Sequence, residues 1–86
     1  MPKDQFREAV SNHVVRLLKE ERERRNLSMT VLAQRAGLSQ AMISFVEHGL
    51  RNPTIDTLLR LAEVLEVNLG EIILKSYKAA SKQKRK

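Results

Sequence analysis

Apolar positions recur with a helical period along the whole chain. Phe6, Val10, Val14 and Leu17 or Leu18 fall on one stripe, which predicts a long first helix over about Asp4 to Arg25. Ser11-Asn12 offers a second start inside it, since either side chain can cap a helix. Asn26 ends the helix, because asparagine tolerates the left-handed conformation of a C-terminal cap. Ser28 caps a second helix through Ala36, and Gly37 stops it. Ser39 caps a third, to about His48, and Gly49 stops that one. "LRNP" is a loop, after which Thr54 caps a fourth helix whose first turn carries Asp56, where a negative charge suits the helix dipole. Asn68 opens a fifth helix, and "NLGE" has the spacing of a capping box. No stretch alternates with period two, so no sheet is expected. The pattern predicts a compact all-α bundle of five helices. Residues 1–13 form an N-terminal helical extension, 14–78 a helix-turn-helix domain, and 79–86 a basic disordered tail.

Composition narrows the chemistry. With 86 residues the chain makes one small domain, burying roughly 60% of its unfolded surface. It has no cysteine, so neither a disulfide nor a thiolate metal site is available. His13 and His48 are too few and too far apart for a metal cluster, and no metal or cofactor is expected. No apolar run is long enough to span a membrane, and "MPKDQFREA" lacks the apolar core of a signal peptide. A cytoplasmic, nucleoid-associated protein is the expectation. The formal net charge is +6, but Lys75, Lys78, Lys82, Lys84, Arg85 and Lys86 supply all of it, with no acid after Glu71. Residues 1–74 hold ten basic and ten acidic side chains, so the body is formally neutral. The basic end either adds sequence-independent attraction to phosphates or is a frayed, solubilising terminus.

Only Gly37 and Leu38 separate the second helix from the cap of the third, a turn too short to reverse the chain. It sets the two helices at a steep angle, as in a helix-turn-helix. Leu32, Ala33 and Ala36 then face inward from the second helix, and Ile43 and Val46 from the third. Ala33 is small because the third helix crosses near it.

From these residues the chain resembles the lambda-repressor-like DNA-binding domain, the Cro/C1-type or Xre-family helix-turn-helix of bacteria and phages. The likeness runs over residues 14–73 and is carried by "LSMTVLAQRAGLSQAMISFVEHGLRNPTIDTLLRLAEVLEV". Its most specific parts are Ala33, the Gly37 turn, the Ile43/Val46 pair, Glu47 before Gly49, and "RNPT" leading into the fourth helix. The resemblance implies a sequence-specific transcriptional regulator of double-stranded DNA, a dimeric repressor, with its third helix in the major groove. By position, Gln40, Ala41, Ser44, Phe45 and His48 would face base edges. Met29 through its backbone N–H, Arg35, Arg51 and Asn52 would hold phosphates. Arg22 and Glu47 would form a structural ion pair between the first and third helices. A recognition helix without arginine or lysine can still read DNA: glutamine bonds adenine twice, serine bonds several edges, and alanine or phenylalanine meets a thymine methyl. Readout weighted to A·T pairs follows.

Three positions depart from that pattern. Met29 stands where glutamine usually bonds a phosphate and braces the third helix, leaving only its backbone N–H. Phe45 replaces a polar or basic residue, and Val31 an acidic one. The alternative is therefore a protein-binding adaptor or antitoxin-type partner on the same scaffold, with sequence-blind DNA binding. A controller of a restriction-modification system and the antitoxin of a toxin–antitoxin pair both fit this size. An enzyme is not expected. "KEERERR" reads as a solvated face of mixed charge, His13 as a surface residue, and Ser39 as a cap with no histidine to activate it. The fourth helix has too many apolar residues for one stripe. A homodimer through helices four and five is expected, with Leu61, Val64, Ile73 and Tyr77 as contacts and Phe6 with Val10 as the rival surface.

Overall fold

Capping side chains and left-handed residues close the helix ends of this chain, and the computed structural model, which describes residues 3–84, shows five helices. They are α1 (Lys3–Arg24), α2 (Met29–Ala36), α3 (Gln40–Glu47), α4 (Ile55–Leu65) and α5 (Leu69–Lys84), with no strand among the described residues. Ser28, Ser39 and Thr54 sit in extended backbone, and each hydroxyl accepts the N–H of the residue three places on, at 3.1 Å. The Asn68 side-chain oxygen accepts from Glu71 N–H at the same distance. Each such cap satisfies one of the orphan donors of a helix start and is worth about 1 kcal/mol. The chain turns through left-handed residues at Asn26 (φ 58°), Gly37 (φ 71°), Gly49 (φ 73°) and Glu66 (φ 58°). At Gly37 a Cβ would also come within 3.1 Å of Arg60 Nη1, so the position has two reasons to lack a side chain.

The core is drawn from α1 to α5: Val14, Leu18, Leu32, Ala33, Ala36, Ile43, Leu58, Leu61, Ala62, Leu65, Leu69 and Ile72 are all buried. Burying one such Leu or Ile side chain stabilises the fold by about 1.5–3 kcal/mol. On α4 the apolar surplus divides cleanly: Leu58, Leu61, Ala62 and Leu65 point inward, while Ile55 and Leu59 stay exposed. Leu61 therefore belongs to the chain's own interior and is no surface contact.

α1 runs without a break through Ser11-Asn12, so the extension and the family-like part of this helix are one rod. It packs along α5, and the two give the molecule its 40 Å long axis, against 22 and 20 Å across. Phe6 meets Tyr77 edge-on, with ring centroids 5.0 Å apart. Ile72, Ser76 and Ala80, four residues apart on α5, form a buried stripe of mostly small side chains that suits a close helix approach. The buried Ser76 hydroxyl donates to the Ile72 carbonyl at 2.8 Å and so leaves no unpaired group.

Two sequence-based expectations are corrected here. Residues 79–84 are not a disordered tail: α5 continues to Lys84 and Ala80 is fully buried, because the extension of α1 gives this charged segment something to pack on. Residues 85 and 86 lie outside the described residues. His13 is not a surface residue but is buried in α1, and its Nδ1 accepts from Arg16 Nη2 at 2.7 Å. Arginine can only donate, so Nε2 carries the imidazole proton.

Candidate nucleic-acid interface

The third helix is fixed in place by one polar clamp. Arg22, buried on α1, donates from Nε to Glu47 Oε2 at 2.7 Å and from Nη2 to Oε1 at 3.0 Å. Its remaining nitrogen, Nη1, donates to the Leu27 carbonyl at 2.7 Å, which ties in the connection before α2. The hydrogen bonds from Arg22 to Glu47 stabilise the charged guanidinium and raise its already high pKa, against an opposing effect of burial. The two-bond fork is the geometry that arginine offers and lysine cannot. It joins the last turn of α3 to α1, while Ile43 and Val46 seat the inner face of α3 in the core.

The outer face of α3 presents Gln40, Ala41, Phe45 and His48 to solvent, with Ser44 half-buried between them. All of these side chains but Ala41 have partners. Gln40 Nε2 lies 3.7 Å from Met29 Sδ, a weak N–H···S contact. The Met29 side chain is thus not idle: its sulfur braces the first residue of α3. His48 Nδ1 donates to the Ser44 carbonyl at 2.8 Å and lies 3.3 Å from the Ser44 hydroxyl. At the start of α2 the Val31 N–H is taken by Ser28, whereas those of Met29 and Thr30 have no acceptor within the helix. Such a helix start is suited to an anion.

Arg51 and Asn52 are exposed in the loop after α3. Both line an open cleft of about 310 Å³ whose other wall is α1, with Asn12, Arg16 and Lys19. The structure thus brings α1 side chains beside the loop, which single-helix reading missed. Their spacing of four and three residues was visible as a polar row, but nothing in the sequence said that it faced the loop. Arg35 is exposed in the last turn of α2, at the opposite end of that helix from Met29, and takes no part in the cleft. The guanidinium carbon of Arg51 sits over the Phe45 ring, 5.4 Å from its centroid.

Of the four residues expected at a dimer surface, the core takes one. Leu61 is interior, Val64 and Ile73 are half-buried against the core, and Tyr77, though 53% exposed, pairs with Phe6 of its own chain. Phe6 and Val10, the rival surface, are likewise half-buried within the chain. Among the described residues no helix is long and apolar enough to cross a membrane.

The sequence profile of the helix-turn-helix family matches residues 18–72, more than half of the chain. An uncharacterized HTH-type transcriptional regulator of Sinorhizobium fredii is 36% identical over 68 residues, covering 79% of this chain and 83% of the relative. Uncharacterized HTH-type transcriptional regulators from two strains of Mycobacterium tuberculosis are 41% identical over 51 residues, covering 59% of this chain. Those 51 residues are 36% of each mycobacterial protein, so the chain matches little more than a third of their length. No solved structure matches the chain. Profile, relatives and helix arrangement agree: the chain belongs to the helix-turn-helix family, and its domain is lambda-repressor-like, of the Cro/C1 type.

Proposed function

We propose that this protein is a sequence-specific transcriptional regulator that places α3 in the major groove of double-stranded DNA and acts as a dimeric repressor. The observation that carries the proposal is the outward row on α3. A helix clamped at its last turn by Arg22–Glu47 and seated by Ile43 and Val46 turns Gln40, Ala41, Ser44, Phe45 and His48 outward together. Rigid placement is what base readout needs, since donors and acceptors must meet a fixed pattern on the base edges. Gln40 and Ser44 would hydrogen-bond base edges, and Ala41 and Phe45 would meet thymine methyls. Phosphates would be held by the free N–H groups at the start of α2, by Asn52, and by Asn12, Arg16 and Lys19 across the cleft. Arg35, away from that cleft, would add a contact only at the other end of α2. For the dimer, Ile55 and Leu59, exposed one turn apart on α4, are the apolar pair left after the core is filled. A two-fold axis there would set two reading helices about one DNA turn apart, roughly 34 Å.

The test is selection from a randomised duplex library at near-physiological salt. The wild-type chain is compared with a variant in which Lys82, Lys84, Arg85 and Lys86 are glutamine. Neutralising those charges is preferable to truncation, because α5 is helical through Lys84 and Ala80 is buried. Enrichment of a symmetric, A·T-weighted site by both proteins supports the reading. No enrichment, or binding that disappears with the charges, refutes it and moves the search to a protein partner.

A further inference from the structure

We propose that Arg51, held over the ring of Phe45, reads a guanine at the edge of the half-site instead of holding a phosphate; this rests on the major-groove reading above. Three observations lead there. First, Phe45 belongs to the outward row of α3 and is 38% exposed, and Arg51 is seated over it at 5.4 Å. The loop side chain therefore returns to the reading face. The cause is local: Gly49 adopts φ 73° and the Leu50 N–H donates to the Phe45 carbonyl at 2.8 Å, which folds the chain back over the last turn of α3.

Second, the guanidinium on this face is not neutralised. Arg51 makes no ion pair with a carboxylate among the described residues, and the nearby Glu47 is occupied at both oxygens by Arg22. Third, contact with an aromatic ring fixes where a guanidinium lies while leaving its N–H donors available at its edge. Two parallel donors match O6 and N7 of guanine, the commonest specific contact in the major groove. The same fork could span two phosphate oxygens; what turns it to a base is its seat on Phe45, within the outward row of α3. The Phe45 ring meanwhile remains open along its exposed edge to a thymine methyl at the neighbouring pair. The half-site should therefore carry one guanine beside a thymine, inside an otherwise A·T-weighted sequence.

The experiment repeats the library selection with wild type, Arg51→Lys and Phe45→Leu. Both sites are on the surface, and circular dichroism of each variant verifies the fold. Wild type should enrich one guanine position per half-site. R51K keeps the charge but loses the fork, so the preference for guanine should fall about tenfold at that position alone, the rest of the site being unchanged. F45L, which removes the platform and keeps an apolar contact, should lower the same preference part of the way. A wild-type site without a guanine position overturns the assignment. So does a guanine that survives R51K or is untouched by F45L, even though the DNA reading itself then stands. A wild type that enriches no site overturns the major-groove reading and this assignment with it.

Discussion

Around α2 and α3 the chain is held by polar contacts that can be named one at a time. Ser28 and Ser39 cap the two helices, Gly37 makes the turn between them, and Arg22 locks Glu47. Where the first turns of α1 lie against α5, the contacts are of another kind. There a ring pair and a stripe of buried small side chains hold the helices together. The first region is specified by short-range rules plus a few long-range bonds, the Arg22–Glu47 pair and Arg60 Nη1 to the Ala36 carbonyl at 3.3 Å. The second depends on two segments some seventy residues apart having complementary shapes. The proposed reading helix, α3, lies in the first region, where its position is set by hydrogen bonds.

If that contrast is right, the largest effect should come from the clamp. Arg22→Ala leaves the Glu47 carboxylate, whose side chain is 6% exposed, without its partner. Breaking one side of a buried pair costs about 3–5 kcal/mol, a large part of the 5–15 kcal/mol typical of a whole domain. Urea unfolding should show the midpoint falling steeply, and any DNA binding should go with it. The double substitution Arg22→Met with Glu47→Leu sharpens the point, because a well-packed apolar replacement of an ion pair is often neutral. It should recover most of the stability. A single Arg22→Ala that costs less than about 1 kcal/mol would mean that the clamp behaves like an exposed pair.

Phe6→Ala probes the other region and should cost about 1 kcal/mol, since Tyr77 remains half in solvent and an aromatic pair adds about 0.5–1.5 kcal/mol beyond its area. Hydrogen exchange locates the effect: amides in the first turns of α1 and the last turns of α5 should lose protection while α3 keeps its own. Equal loss across α3 would show that the two regions unfold as one unit and would break the comparison.

The same contrast explains what could be read from the sequence. The caps at Ser28, Ser39, Thr54 and Asn68, and the left-handed turns at Asn26, Gly37 and Gly49, each depend on a few neighbouring residues, and the pattern placed them. The outward row on α3 comes from the family resemblance, and the inward seats of Ile43 and Val46 from the packing pattern. The helical path of residues 79–84 did not follow, since a short segment ending in Ser81, Lys82, Gln83 and Lys84 carries no apolar period of its own to mark a packed helix. His13 is polar and looked superficial, yet it is buried, which the helical period does not report. At the candidate interface, the contact of Met29 with Gln40, the seat of Arg51 on Phe45 and the cleft wall on α1 all depend on how a loop closes in space. No periodicity encodes that.

The smallest expected effect lies between the two regions, where α1 ends. Glu21 receives Arg25 Nε at 2.8 Å and is also bonded by Arg24, and these hydrogen bonds hold its carboxyl below its ordinary range. Arg25 in turn reaches Glu66 at 3.2 Å, the left-handed residue that ends α4. Because the folded-state pKa is the lower one, the unfolded chain binds a proton first as pH falls. The stabilisation is therefore complete above the ordinary carboxylate range, about pH 4 to 5, and is lost as pH drops through the folded value. The pairs are at the surface, so salt should weaken the effect. Glu21→Gln should lower the urea midpoint slightly at neutral pH and flatten the decline of stability on acidification, with the two proteins converging at the acid end. An unchanged slope in the variant would place the acid sensitivity elsewhere and leave the end of α1 held by packing, like the region at its start.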